Sequence, residues 1–224
     1  MLAINSIIDY TLVEPSTEDS AIIELCHKAN QLKVKSVCVL PEKVTLAANE
    51  LKTSDVLTCT VVSFPQGNMS VLDKESQTKT LIEQGADEID MVMNYAKIND
   101  WDYLLKEIKS LAKICSENKN KLGGKITLKV IVESGLLSLQ ETEKATNLCI
   151  EAGVDYIKTS TGKVAVGAEL SKIKCMKSII EQQGAALKIK ASGGIRDMKK
   201  IEEFMPFVDR LGIGYKTVDE LNAI

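Results

Sequence analysis

The chain has 224 residues, 45% hydrophobic and 26% charged, with four prolines and a formal net charge of −3. That composition describes a globular protein, and no low-complexity stretch or Pro/Ser-rich linker marks a domain boundary. Interspersed charges give no basic stripe for nucleic acid, and apolar runs of strand length give neither a membrane span nor a signal peptide, so a cytoplasmic protein with no membrane partner is expected.

In chain order, short β-branched runs predict strands at Ile7–Leu12, Ser36–Leu40, Leu57–Val62, Glu88–Met93, Thr127–Val132, Tyr156–Thr159, Leu187–Ala191 and Arg210–Ile213. Between them apolar residues recur at helical spacing, as in Ile22, Leu25, Cys26, Ala29 and in Trp101, Leu104, Leu105, Ile108, Leu111. Ser138 and Glu141 form the pattern of a capping box ahead of the sixth strand. Eight strands in 224 residues leave about 28 residues per unit, near the minimum for a parallel crossover. The expected fold is therefore α/β, a single (β/α)8 TIM barrel spanning residues 1–224.

An internal repeat sharpens this. Ile82–Asp90 aligns with Ile150–Lys158 at an offset of 68, which makes Asp90 and Lys158 equivalents, and the looser segment Ala29–Val39 puts Cys38 in the same slot. All three are expected inside the barrel near the strand C-termini, the face on which barrel enzymes carry their active sites. Lys129 and Glu133, expected in the fifth strand, and Lys190 in the seventh add charge where packing alone would place Val, Ile and Leu.

Lys158 lies in Tyr-Ile-Lys-Thr-Ser-Thr-Gly and Lys190 in Lys-Ala-Ser-Gly-Gly-Ile-Arg, each where an apolar run gives way to Gly, Ser and Thr. Lys158 alone could be a lysine snorkelling to solvent, and the group could be a purely structural ion cluster. The catalytic reading assigns one amine to form an imine, a neighbouring ammonium to favour its neutral form, and a carboxylate, Asp90, to manage protons. Glycine clusters follow: Thr161-Gly162-Lys163, Ser192-Gly193-Gly194 and Gly212-Ile-Gly214. They are either tight turns or a phosphate cradle, since glycine lets backbone N–H groups approach an oxyanion closely; Lys163 and Arg196 nearby favour the cradle. Ser63–Asn68 is a turn or a piece of pocket wall. The lone His27 falls in a helical pattern and the six cysteines show no C-x-x-C pair, so reduced core thiols, no metal site and no cofactor are expected.

These residues resemble the deoxyribose-phosphate aldolase family, class I aldolases on a TIM barrel. The resemblance rests on Asp9-Tyr-Thr-Leu, Val37–Pro41, Phe64–Gly67, Gly85–Asp90, Leu128–Glu133, Lys158–Gly162 and Lys190–Arg196, in the family's order over nearly the whole chain. It implies cleavage of 2-deoxy-D-ribose 5-phosphate to D-glyceraldehyde 3-phosphate and acetaldehyde, with Lys158 forming the Schiff base, Lys190 perturbing its pKa and Asp90 relaying protons with Lys190 and a water. It further implies that Cys38 lines the substrate pocket and that Asp9 lies on its hydroxyl-binding side; Thr161 is expected on the same pocket, and Gly162, Lys163, Gly193, Gly194, Gly212 and Gly214 are the residues expected to hold the phosphate in the glycine cradle. Two departures are visible. Gly214 is followed by Tyr215 where the family's last strand usually ends on Ser or Thr, and a short eighth helix ends the sequence at Ile224, so weaker phosphate binding and slower proton exchange are expected. The alternatives are a Schiff-base aldolase for another phosphorylated sugar and an inactive phosphosugar-binding barrel; a short last helix would also leave apolar surface for a homodimer.

Overall fold

In the computed structural model, which describes residues 4–222, eight parallel strands close a barrel in sequence order, each followed by a helix. The strands are β1 (Ile8–Leu12), β2 (Ser36–Val39), β3 (Leu57–Val62), β4 (Glu88–Val92), β5 (Thr127–Ile131), β6 (Tyr156–Lys158), β7 (Lys188–Ser192) and β8 (Arg210–Gly214). The helices are α1 (Asp19–Leu32), α2 (Val44–Glu50), α3 (Val71–Glu83), α4 (Trp101–Glu117), α5 (Leu139–Ala152), α6 (Leu170–Gln183), α7 (Met198–Phe204) and α8 (Tyr215–Asn222). Each strand boundary falls within one residue of its expected place. Glu133 is the exception among the charged residues: it stands beyond the end of β5, in the left-handed region at φ 50, because the chain turns there.

Local signals set the helix ends. Ser70, Asp100 and Asp197 accept the N3 backbone N–H of α3, α4 and α7, and Ser138 with Glu141 completes both halves of the capping box on α5. Gly153 and Gly184 close α5 and α6 in the left-handed conformation that glycine adopts without penalty. The apolar faces of the helices and the outward faces of the strands form one continuous core.

Two polar struts cross that core. Lys74 of α3 and Glu107 of α4 are fully buried and paired at 2.7 Å. The same ammonium donates to the Val92 carbonyl at 2.7 Å, and the carboxylate accepts the Asn94 N–H at 3.0 Å, so the pair fixes the end of β4 two residues past Asp90. The other strut seats α8: Tyr10, facing outward from β1, donates its hydroxyl to Asp219, which also pairs with Lys28 of α1 at 2.8 Å. α8 is described as far as Asn222; residues 223–224, where the expected end of that helix falls, lie outside the described part.

Candidate active site

Alternation along the strands sends every second residue inward, and β1, β4, β5, β6, β7 and β8 send charges. Asp9, Glu88, Asp90, Lys129, Lys190 and Arg210 are each 4% exposed or less. Lys129 stands 2.6 Å from Glu88, 2.8 Å from Asp90 and 3.8 Å from Asp9. Lys190 stands 2.5 Å from Asp9 and 2.6 Å from Asp90, while Arg210 reaches Asp9 at 2.5 Å and Glu88 at 3.2 Å. Three carboxylates thus face three cations. Lys158 is the seventh member, and it touches the same Asp90 oxygen as Lys190, also at 2.6 Å. The two lysine nitrogens therefore lie no more than twice that distance apart.

Burial alone would raise the Asp90 carboxyl, but Lys129, Lys158 and Lys190 outweigh it and hold the group well below the usual carboxylate range. Asp9 is likewise held down against burial by Arg210, Lys190 and Lys129. Burial opposes the charge on Lys190, yet Asp9 and Asp90 together raise its pKa above the ordinary lysine value. Lys190 is thus a permanent ammonium beside Lys158. Glu133 shows the reverse balance: burial raises its carboxyl, and the Thr161 hydroxyl and N–H that it accepts, with Lys158 nearby, offset only part of that.

Above this layer a cavity of about 250 Å³ opens at the C-terminal ends of the strands. Lys158 is the one cation of the seven-residue layer that lines it, 5% exposed. Cys38, Val61 and Phe64 form an apolar wall, so the Ser63–Asn68 loop is in part pocket wall. Opposite lie Thr161, Gly162, Lys163, Gly193, Gly194 and Gly214, with Arg196 and the first turn of α8, Tyr215 to Thr217, at the rim. Gly193 and Gly194 have φ of +86 and +75, which other residues adopt only with strain. A helix N-terminus and three exposed cations, Lys163, Arg196 and Lys216, suit this end to an anion.

The structure therefore brings Lys158, Asp90 and Lys190 together, puts Cys38, Thr161 and the six predicted phosphate residues around one cavity, and separates Asp9 from it. Asp9 is fully buried, accepts from Ser36 at 2.7 Å and Arg210 at 2.5 Å, and lies outside the pocket lining. The reason is register: Asp9 pairs with Gly212 at the level of the ion layer, and Thr11, two residues along the same face, reaches the cavity instead. Gly212 serves the layer too, since a Cβ there would meet Lys190 Cε at 3.1 Å and Ser192 Cβ at 2.9 Å. Sequence reasoning missed Glu88 and Arg210, although each stands two residues before a predicted site residue, Asp90 and Gly212, and so shares its face.

Among the described residues two groups of side chains have metal-ligand geometry, Cys38 with Cys59 and Asp90, and Asp9 with Cys59 and Glu88, the ligand atoms of each within 4.8 Å of one another. Lys129 Nζ already occupies that space, 3.4 Å from Cys59 Sγ and bonded to Glu88 and Asp90. An ammonium fills the place of a cation.

Residues 7–210 match the model of the DeoC/LacD family aldolases. The chain is 43% identical over 202 residues to the deoxyribose-phosphate aldolase of Mycoplasmoides pirum, covering 90% of this chain and 88% of that one. It is 40% identical over 227 residues to the deoxyribose-phosphate aldolase of Mycoplasma pneumoniae, covering 100% and 96%. A crystal structure from Coccidioides immitis superposes with a TM-score of 0.89 at 31% identity, over 98% of this chain and 85% of that one. With the barrel, the buried lysines and a family match over nearly its whole length, the chain belongs to the DeoC/LacD family of aldolases.

Proposed function

We propose that the protein catalyses reversible cleavage of 2-deoxy-D-ribose 5-phosphate to D-glyceraldehyde 3-phosphate and acetaldehyde through an imine on Lys158. One observation carries the reading: of the interior cations, Lys158 alone opens on a cavity whose far rim is cationic and glycine-rich. A primary amine at that position adds to a carbonyl when it is neutral, and the layer below is charge-balanced without it. The two relatives named above, both deoxyribose-phosphate aldolases, support the substrate.

In the synthetic direction the Lys158 amine attacks the acetaldehyde carbonyl, and loss of water from the carbinolamine gives the imine. Removal of an α-proton gives the enamine, which attacks the phosphorylated aldehyde. Asp90 accepts and returns protons and Lys190 supplies the fixed positive charge; neither lines the cavity, so both act through Lys158 or a bridging water. The rim from Thr161 to Lys163, Gly193, Gly194 and α8 receives the phosphate, and Gly214 leaves the donor work at the last strand to backbone N–H groups. A cavity below the ~300–1,000 Å³ usual for drug-sized ligands suits a five-carbon substrate. The cytoplasmic location and the homodimer belong to the same reading; sedimentation of the purified chain tests the latter.

Borohydride reduction with acetaldehyde is the deciding experiment. One ethyl group on the peptide bearing Lys158 is the expected product, and Lys158→Ala should abolish turnover while the circular dichroism of the barrel stays unchanged. An active preparation with unmodified Lys158 sinks the mechanism.

A further inference from the structure

The ladder places Cys38 of β2 directly opposite Cys59 of β3. Neighbouring strands run about 4.8 Å apart, within the Cα separations of ~4.4–6.8 Å that a disulfide spans. The two sulfur atoms already lie within 4.8 Å of each other and of an Asp90 oxygen. Their access differs: Cys38 lines the cavity, whereas Cys59 lies beneath it, donating its S–H to Asp90 at 3.3 Å.

We propose that Cys38 and Cys59 form an oxidant-modification pair, in which hydrogen peroxide entering through the substrate cavity oxidises Cys38 and Cys59 then resolves it as a disulfide. The Cys38 sulfur attacks one peroxide oxygen and the O–O bond breaks. Cys38 becomes a sulfenic acid, and its proton joins the departing hydroxide as water. Cys59 then attacks the sulfenic sulfur: the S–S bond forms, the S–O bond breaks, and the hydroxide leaves as a second water with the Cys59 proton. Two thiols are oxidised and one peroxide is reduced to two waters.

Three observations favour this pair over the other cysteines. Cys26, Cys115 and Cys149 are buried away from the cavity, and burial pushes each thiol up to about 12. Burial also raises Cys175, which is partly exposed on α6 and lies outside the cavity lining. Cys38 is the one lowered, because the neighbouring Cys59 sulfur, with Lys190 and Lys158, outweighs burial, and a thiol with more thiolate character is the better nucleophile. Closing the bridge has a consequence for the site. It removes the S–H that Cys59 donates to Asp90 and draws the Cys38 sulfur off the cavity wall, and the same opening admits a small thiol that reverses it.

The pair is read by mass, independently of which carbonyl substrate the cavity takes. Purified full-length protein is titrated with hydrogen peroxide, alkylated and digested. The expected product joins the Cys38 and Cys59 peptides at a mass lower by two hydrogens, ethyl trapping at Lys158 falls in step, and dithiothreitol restores both. In Cys59→Ala the same dose should carry Cys38 on to the sulfinic acid, two oxygens heavier and not reversed by dithiothreitol. The proposal is overturned if wild-type Cys38 and Cys59 both stay alkylatable at a dose that oxidises Cys175, or if wild-type Cys38 reaches the sulfinic acid without the cross-link.

Discussion

Lys129→Met is the perturbation that tests the ion layer most directly, because this side chain lies wholly beneath the cavity and touches no substrate. Its contacts with Glu88 and Asp90, at 2.6 and 2.8 Å, are each worth about 6 kcal/mol of Coulomb attraction at an effective dielectric of ~20. Desolvating the ammonium cancels much of that, several kcal/mol per ion, so removing one partner of such a network costs about 3–5 kcal/mol. Against a total of about 5–15 kcal/mol this is a severe loss, readable as the urea midpoint of unfolding. The pH dependence has a definite sign. Asp90 and Asp9 have depressed folded values, so their contribution is present above the unfolded carboxylate value and is lost as pH falls through the folded one. Without Lys129 both carboxyls protonate more readily, and the acid limb of stability should move to higher pH. Pairing Lys129→Met with Asp90→Asn should cost less than the sum of the two. Strict additivity, or a midpoint change equivalent to under about 1 kcal/mol, would refute the network.

Gly212→Ala should lower ethyl trapping at Lys158, because its Cβ would press on Lys190 Cε and Ser192 Cβ, an overpacking of about 1–3 kcal/mol at the clamp that holds Asp90. In Gly194→Val the added Cβ meets no atom within 4 Å, but the residue is strained at φ +75 and crowds the cavity, so KM for the phosphorylated substrate should rise while trapping with acetaldehyde holds; equal loss in both assays would make this loop a structural turn. Lys74→Met leaves the Glu107 carboxylate buried and unpaired, a loss of about 3–5 kcal/mol by urea denaturation, and adding Glu107→Leu should recover much of it. Exhaustive EDTA treatment should leave turnover unchanged, since the carbonyl is activated at Lys158 and Lys129 holds the place a cation would take; loss on chelation with recovery on adding a divalent ion would overturn the imine assignment.

The barrel is legible in the sequence because eight β-branched runs return at nearly even spacing, leaving little room for another topology, and the capping signal at Ser138 and Glu141 is local. The repeat carries more: it puts Cys38, Asp90 and Lys158 at the third position of β2, β4 and β6, and Asp90 contacts Lys158. Asp9 is not legible in the same way. Alternation fixes the face a residue occupies but not its depth along the barrel, and depth follows from the stagger of strands paired far apart in sequence, as Asp9 with Gly212. Arg210 is hidden for the same reason, its partners Asp9 and Glu88 lying 201 and 122 residues away.

Depth also decides which lysine can react. Lys129, Lys158 and Lys190 all touch Asp90, so contact with the carboxylate does not distinguish them. Lys129 and Lys190 are fully buried and each answers two carboxylates within 3 Å, so a proton lost from either would leave two carboxylates without that contact in a medium where an unpaired charge is costly. Lys158 touches one oxygen of Asp90, which it shares with Lys190, so Asp90 keeps its ion pairs to Lys129 and Lys190 without it. The same residue faces the cavity. The contacts below and the opening above thus single out one amine of three, which is why the nucleophile is expected at Lys158 and why neither Lys129 nor Lys190 should form an imine with acetaldehyde in Lys158→Ala.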